Sequence, residues 1–283
     1  MAIKIYAFAD EAGSDLDTQI NALKDNGLDG LEIRNVDGGN ISDMTEEKAR
    51  EVKERLDAEG LRVWSIGSPI GKVGMEHDDF NRHLEVFRHT LNIADILGAD
   101  CFRLFSFYLP DGKDPGDYKE EVIERMGRFA ELAKDHPVTL CHENEKGIYG
   151  DTAARCLELL KALPTIKAVF DPANFIQCGV DTLEAWNLLK PYTRYLHIKD
   201  ALEDGSVVPA GKGIGNLPFI VKDFLSSGGN VFTIEPHLTV FQGLASLEKD
   251  GARSTVGRYE YDSSIAAFHA ACTEFKMICR DLA

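Results

Sequence analysis

The stretch KAVFDPANF, residues 167–175, places an acidic side chain directly after an apolar run that is typical of a buried strand. Asp171 closes this run, Pro172 interrupts it, and Asn174 stands three residues beyond the acid. A carboxylate at the tip of a buried strand is costly unless another group pairs with it. The stretch therefore predicts either a cation beside Asp171 or a turn that this residue caps.

Seven further runs of this kind, rich in β-branched and aromatic residues, recur along the chain. Together with the first they make eight predicted strands, at residues 3–8, 28–33, 61–66, 100–106, 138–143, 166–171, 192–198 and 230–235. Segments with helical periodicity lie between them, at residues 14–27, 44–60, 80–98 and 150–164. Several of these segments end on a glycine shortly before the next strand, which is typical of a βα unit with a short return loop.

This alternation predicts the α/β class and, within it, a (β/α)₈ TIM barrel. The length of 283 residues agrees with the roughly 250 residues that such barrels use. A doubly wound open sheet is the alternative, but the first strand is not followed by the GxGxxG fingerprint of dinucleotide-binding folds. No linker or charge block divides the chain, so we expect residues 1–283 to form one domain.

The composition narrows the range of partners. Acidic residues number 47 against 31 basic ones, which gives a formal net charge of -16. Such a surface repels nucleic-acid phosphates and anionic membranes, because binding to polyanions depends on Lys and Arg. The six cysteines show no CxxC spacing, and the start of the sequence lacks the apolar core of a signal peptide. We expect a cytoplasmic protein with reduced thiols, no membrane or nucleic-acid partner, and the option of a homo-oligomer.

Active sites of such barrels lie at the carboxyl ends of the strands. Reading only those ends gives Glu143, Asp171, His197 and Glu235 on four consecutive strands. Three carboxylates beside an imidazole at one point would repel one another and lose their solvation. A divalent cation bound between them offsets this cost. An oxygen-rich set with one nitrogen suits Mn²⁺, Mg²⁺ or Co²⁺, with Zn²⁺ as an alternative. Each residue also has a local explanation, such as a hydrogen-bonded core histidine at position 197, but one shared metal explains all four.

Six motifs carry a resemblance to a known family: HENEKGIYGDT (142–152), FDPANF (170–175), HIKDA (197–201), IEPH (234–237), FADEAG (8–13) and GSPIGKV (67–73). Over nearly the whole chain, the sequence resembles the xylose isomerase-like TIM-barrel family and, within it, the sugar phosphate isomerase/epimerase group. In epimerases of this family, the residues that match Glu143, Asp171, His197 and Glu235 bind one divalent metal. The resemblance also implies that the two glutamates form the catalytic acid/base pair. Many of these epimerases carry a histidine where this chain has Asn174, whose amide can hydrogen-bond a hydroxyl but cannot titrate near neutral pH.

Five residues near the predicted centre are candidates for contact with a substrate: Asn174, Lys199, Arg103, Glu32 and His237. Arg103 would bind an anionic group or Glu143, with a surface ion pair as the alternative. Lys199 lies on the same side of its strand as His197 and would stabilise an enediolate or else neutralise a neighbouring acid. Glu32 would bind a hydroxyl or hold Arg34 or Arg103.

The resemblance implies a divalent-metal-dependent isomerase or epimerase that moves a proton next to the carbonyl of a small-molecule sugar or sugar phosphate, through an enediolate. A dehydratase of an inosose-type keto-polyol is the alternative within this class. A sugar-binding barrel without catalysis is the alternative outside it. Cleavage of damaged DNA, the chemistry of a more distant branch, is disfavoured by the net charge. It is also disfavoured because WSIGSP (64–69) and RLFSF (103–107) lack the extra histidines of a three-metal cluster.

Overall fold

The structure, a computed structural model, describes residues 2–76, 79–240 and 259–282. Its centre is a closed barrel of eight parallel strands whose order in space follows their order in the chain. The first strand closes the barrel, because Tyr6 pairs with Gly30 on one side and with Thr233 on the other. The strands are β1 (Lys4–Ala7), β2 (Gly30–Ile33), β3 (Arg62–Gly67), β4 (Cys101–Leu104), β5 (Thr139–Glu143), β6 (Lys167–Phe170), β7 (Thr193–Ile198) and β8 (Val231–Ile234). The predicted fold class is therefore confirmed, and all eight predicted strands are present.

The helices pack outside the barrel, and four of them, α1, α2, α3 and α5, lie within the helical segments that the sequence predicts. They are α1 (Leu16–Asp25), α2 (Glu46–Ala58), α3 (Phe80–Leu97), α4 (Lys119–Ala133), α5 (Ala153–Ala162), α6 (Pro172–Gln177), α7 (Thr182–Leu189), α8 (Leu217–Ser226) and α9 (Ser264–Asp281). Asp15 caps α1 by accepting a hydrogen bond from the Thr18 amide at 2.8 Å. Gly98 ends α3 in the left-handed conformation that favours glycine. Within the described ranges, none of these helices is both long and apolar enough to cross a membrane.

The barrel interior changes from apolar to charged along the strands. One inward layer is apolar and aromatic and consists of Tyr6, Trp64, Cys101, Cys141, Val169, Tyr195 and Val231. Side chains two residues apart in a strand share a face. Two residues beyond Cys101, Cys141, Val169 and Tyr195, on this inward face, come Arg103, Glu143, Asp171 and His197. The charged residues are therefore stacked on an apolar floor, at the end of the barrel where the strands finish.

The loop after β7 is fixed by a single carboxylate. Asp200 accepts hydrogen bonds from the backbone amides of Gly211 at 2.9 Å, Gly213 at 3.1 Å and Gly215 at 2.9 Å. A side chain on Gly213 would put its Cβ 2.3 Å from the carbonyl oxygen of Ala201, so the close approach requires glycine there. These amides therefore bind the protein itself and hold the loop against the strand that carries His197.

Candidate metal centre

The four residues predicted as metal ligands meet at one point in the barrel mouth. The Nδ1 atom of His197 lies 3.1 Å from Glu143 Oε1 and 3.2 Å from Glu235 Oε2. Asp171 Oδ2 lies 3.7 Å from the same nitrogen. One potential ligand atom from each residue lies within 4.8 Å of the others, and all four side chains are buried. Three carboxylates are therefore grouped around one edge of an imidazole ring.

The two oxygens of Asp171 have different partners, so both interpretations of the opening stretch apply. Oδ1 accepts a hydrogen bond from the Asn174 amide at 2.8 Å and caps α6. Oδ2 faces the centre and lies 2.9 Å from Lys199 Nζ. The Asn144 side chain braces the strand tip, because it accepts from the Asp171 amide at 3.0 Å and donates to the Asp171 carbonyl at 2.9 Å. The carboxylate is thus aimed at the centre by the local backbone.

The donor set of the centre fits a divalent cation. Asp171 Oδ2 and Glu143 Oε2 are buried and accept no hydrogen bond, although each lies beside a cationic side chain. Carboxylate oxygens with one imidazole nitrogen are common ligands of Mg²⁺, Mn²⁺, Co²⁺ and Zn²⁺. Each oxygen is offset by one cationic side chain, and because a carboxylate oxygen has two lone pairs it could also bind a metal ion. The four side chains could therefore hold one such ion.

Cationic side chains keep the glutamates ionised. Burial alone would raise the pKa of Glu143, but the adjacent imidazole of His197 and the Arg103 guanidinium outweigh it and lower that pKa to about 2. Burial likewise opposes ionisation of Glu235, and Lys199, with its Nζ 3.0 Å from Glu235 Oε2, makes the largest contribution to holding the pKa of that carboxyl well below its usual range. Each glutamate therefore offers an anionic oxygen at the centre.

A second group of potential ligands, Glu11, Glu235 and His237, shares one residue with the centre. Arg34 already fills this group with a positive charge. Its Nη2 donates to Glu11 Oε1 at 3.1 Å, and its Nη1 lies 3.5 Å from Glu235 Oε1. His237 is tied to the same network, because its backbone amide donates to Glu11 Oε2 at 2.6 Å. The second group is therefore an ion-pair network around a buried guanidinium, which would repel a second divalent cation.

Each of the five residues predicted to contact a substrate lies against one of the four central residues. The distances are 3.2 Å from Asn174 Nδ2 to Glu143 Oε1, 3.0 Å from Lys199 Nζ to Glu235 Oε2, 3.0 Å from Arg103 Nη1 to Glu143 Oε2, 3.5 Å from His237 Nδ1 to Glu235 Oε1 and 3.1 Å from Glu32 Oε2 to His197 Nε2. Arg103 is fixed by acids of the barrel and is not part of a surface ion pair. The Glu32 side chain has no exposed surface, and it contacts Arg103 at 3.9 Å rather than Arg34.

A cavity of about 720 Å³ lies beside the centre, and most of the residues that line it are polar. Its lining includes Arg34 and Arg103, which contact glutamates of the centre, and polar residues of the loops after β1 and β2, among them Asp10, Asn35 and Asn40. Asn35 donates to Asp10 Oδ2 at 2.7 Å, and Asn40 donates to Asn35 Oδ1 at 3.2 Å. Hydrogen-bonding groups in such numbers suit a polyhydroxylated ligand.

The acidic pair Asp10 and Glu11 and its partner Arg34 are not among the site residues that the sequence predicts. Asp10 Oδ2 accepts from Arg34 Nε at 2.8 Å, and all three side chains are buried. The signal was available, because both acids lie within FADEAG, three and four residues past the end of β1. Glu143 was predicted because it is an acid at the carboxyl end of a barrel strand, and the same criterion applies to this pair.

Comparison with known proteins gives a family match and several structures of the same fold. Residues 20–254 match the family model described as xylose isomerase-like TIM barrel. A curated relative, 3-dehydroshikimate dehydratase from Bacillus anthracis, is 20% identical over 178 residues, which make up 62% of this chain and 63% of that protein. The match thus spans less than two thirds of the relative's length.

Three solved structures illustrate the likeness in fold. The structure of L-ribulose 3-epimerase is 18% identical with a TM-score of 0.76, over 100% of this chain and 96% of the other. The IolI protein with a bound zinc atom is 14% identical with a TM-score of 0.74, over 99% of both chains. A xylose isomerase-like TIM barrel protein from Mycobacterium smegmatis in complex with magnesium is 16% identical with a TM-score of 0.69, over 100% of this chain and 98% of the other. At these identities the likeness shows the fold alone.

Proposed function

The chain belongs to the xylose isomerase-like TIM barrel family, and from that premise we propose that it is a divalent-metal-dependent isomerase or epimerase of a small carbohydrate. The observation that carries the proposal is the convergence of two glutamates, an aspartate and a histidine on one buried point. The likeness in fold to L-ribulose 3-epimerase supports the reaction class. The polar cavity beside the centre supports a sugar or sugar phosphate as substrate.

In this proposal Glu143, Asp171, His197 and Glu235 hold one divalent ion. Mn²⁺, Mg²⁺ and Co²⁺ are the predicted ions, and Zn²⁺ is the alternative. The relatives with bound zinc and magnesium support a divalent ion without deciding between these. When bound, the ion would supply Lewis-acid polarisation of the substrate carbonyl.

The acid/base work falls to Glu143 and Glu235. They come from β5 and from the end of β8, two strands with two others between them, and so reach the centre from different sides. One carboxylate takes the proton from the carbon next to the carbonyl, and Lys199 Nζ stabilises the negative charge of the enediolate. Return of the proton by the same glutamate to the neighbouring carbon gives isomerisation. Return by the other glutamate to the opposite face gives epimerisation.

Dehydration is the second candidate, and the match to 3-dehydroshikimate dehydratase favours it. The same first step, removal of a proton next to a carbonyl, leads to dehydration when the hydroxyl on the next carbon leaves. The cytoplasmic location and the option of a homo-oligomer stay predictions from the sequence.

Deuterium uptake tests the proposal. The protein loaded with Mn²⁺ is incubated in D₂O with ketoses, their phosphates, keto-polyols and 3-dehydroshikimate, and mass spectrometry follows uptake and product. We expect uptake with at least one ketose together with an isomerised or epimerised product, and none with Glu143→Gln. A dehydrated product assigns the second candidate. A compound that binds tightly, with no uptake across the panel, would identify a sugar-binding barrel and contradict the proposal.

A further inference from the structure

Glu32 is a fully buried carboxylate next to the centre, and its contacts point to one histidine. It lies in β2, and its side chain has no exposed surface. Its Oε2 lies 3.1 Å from Nε2 of His197. Its Oε1 accepts a hydrogen bond from the Tyr195 hydroxyl at 3.0 Å and lies 3.4 Å from the Ser65 hydroxyl. The closest nitrogen to this carboxylate is therefore that of the imidazole ring, because Arg103 Nε lies 3.9 Å away.

The opposite edge of the same ring faces the centre. Nδ1 of His197 points at Glu143, Glu235 and Asp171, whereas Nε2 points away from them at Glu32. Both ring nitrogens lie against carboxylates, which accept hydrogen bonds and cannot donate them. A cation at the centre would need the lone pair of Nδ1, and the proton would then be on Nε2, where Glu32 accepts it. The lone pair of a neutral ring then lies on Nδ1, where the three central carboxylates gather.

We propose that Glu32 is a positioning residue that holds His197 with its proton on Nε2, and thereby sets the affinity of the centre for a divalent cation. This inference rests on the proposed metal site. Carboxylates behind metal-binding histidines fix the ring, select its tautomer and raise the basicity of the ligating nitrogen. Removing such a carboxylate typically weakens metal binding by about 10- to 100-fold.

The packing around the ring supports this assignment. Phe8 contacts the His197 ring edge-on at a centroid distance of 5.4 Å, and Tyr195 does so at 5.6 Å. These contacts hold the ring plane, but an imidazole turned by half a rotation about its Cβ–Cγ bond would fill nearly the same space. Only a polar partner distinguishes the two orientations, and Glu32 is that partner on the floor side. Arg103 does not compete with His197 for Glu32. Its Nε lies 3.9 Å from Glu32, whereas its Nη1 pairs with Glu143 at 3.0 Å.

Cobalt binding to the full-length protein tests the inference. The dissociation constant for Co²⁺, read from its visible absorption, is compared for the native chain, Glu32→Gln and Glu32→Met, with the unfolding temperature recorded in chelator and in Co²⁺. Gln keeps an oxygen that accepts from Nε2 but loses the charge, whereas Met keeps the volume and loses both. We expect weakening of about 10-fold for Gln and about 100-fold for Met. A purely structural role would lower the unfolding temperature in chelator and leave the dissociation constant unchanged.

Two matched variants complete the test. Glu145→Gln removes a negative charge from a nearby carboxylate that pairs with Lys72 and not with His197, so we expect less than about a threefold change. Tyr195→Phe keeps Glu32 and removes one of its two hydroxyl contacts, so it is a milder change that can be measured if the Glu32 variants fail to fold. We expect it to weaken Co²⁺ binding by about threefold. Native affinity in Glu32→Met or in Tyr195→Phe overturns the inference while leaving the metal site intact. Absence of Co²⁺ binding by the native chain overturns the proposed function itself.

Discussion

Glu143 and Glu235 lie at almost the same distance from His197 Nδ1, at 3.1 and 3.2 Å, but their surroundings differ. Glu143 has one permanent cation beside it, Arg103, and an amide donor from Asn174. Glu235 is bordered by Lys199 on one oxygen and by Arg34 and His237 on the other.

This difference separates two carboxylates that look equivalent in the sequence. The positive charges around Glu235 stabilise its anion and hold its pKa well below the usual range. The pKa of Glu143 is lowered mainly by the His197 imidazole, since burial opposes ionisation there too. A neutral imidazole would remove this contribution, so the proton affinity of Glu143 depends on the state of the centre more than that of Glu235 does. We therefore expect Glu143 to be the better proton acceptor of the two.

The largest expected effect comes from removing either carboxylate charge. Glu143→Gln and Glu235→Gln should each lower turnover by about 10²- to 10⁴-fold, because each deletes one acid/base group while keeping its volume. The two differ in deuterium uptake by the substrate: Glu235→Gln keeps some uptake without product, and Glu143→Gln loses both. Mass spectrometry of recovered substrate measures this difference, with unfolding temperature as the check on the fold. Full turnover by Glu235→Gln would sink the two-glutamate scheme.

The arginines extend the comparison to stability. Arg34→Met leaves Asp10, Glu11 and Glu235 without their shared guanidinium, and it should lower the free energy of unfolding by about 3–5 kcal/mol. Arg103→Met should cost less, because Arg103 has only one close carboxylate partner, at 3.0 Å. Urea unfolding of the two variants in chelator gives both values. A larger loss of unfolding free energy for Arg103→Met than for Arg34→Met would contradict this ranking.

His142, next to Glu143 but on the other face of β5, supplies a pH-dependent contrast. Its Nε2 lies 2.9 Å from the Ser106 hydroxyl, and burial lowers its pKa from 6.5 to about 4. The unfolded chain takes up this proton first as the pH falls, so the contribution of His142 to stability is complete above pH 6.5 and declines towards pH 4. The decline should reach about 3 kcal/mol. Urea unfolding across this range measures it, and His142→Asn should show a shallower slope; an equal slope would assign the effect elsewhere.

The smallest effect is expected at Asn174, on the Glu143 side. Asn174→Ala removes the amide that donates to Glu143 Oε1 at 3.2 Å and to the Asn144 carbonyl at 2.9 Å. It should cost about 1 kcal/mol in transition-state stabilisation, or roughly fivefold in kcat/KM. Steady-state kinetics measures this loss, and the same assay on Ser226→Ala, on the exposed end of α8, is the matched control. Loss as large as that of Glu143→Gln would make Asn174 part of the acid/base machinery.

Much of the fold and part of the site could be predicted because the signals are local. Apolar runs of strand length, glycines after helices and caps such as Thr45 are properties of a few neighbouring residues. Strand ends in a barrel all point to one mouth, so Glu143, Asp171, His197 and Glu235 could be placed together without knowing the pairing register.

Only part of the pairing of charges could be predicted, such as Arg103 with Glu143, because the rest depends on atoms brought together from distant parts of the chain. Arg34 follows β2 but binds Asp10 and Glu11, which the short 3₁₀ turn after β1 carries into the mouth. Glu32 was expected at a hydroxyl or an arginine, and only the contact of side chains across the barrel interior shows it behind His197. Strand alternation gives the face of a residue, whereas its depth and partner follow from the stagger of the whole barrel.

Metal content tests the central claim most directly. The protein is purified after exposure to Mn²⁺, and bound metal is measured by mass spectrometry for the native chain, Asp171→Asn and His197→Ala. Asn at position 171 keeps the cap of α6, which isolates the loss of the carboxylate from the loss of the turn. We expect one divalent ion per native chain and strong loss in both variants, with the fold retained. A native chain without bound metal, or variants that keep it, would contradict the account.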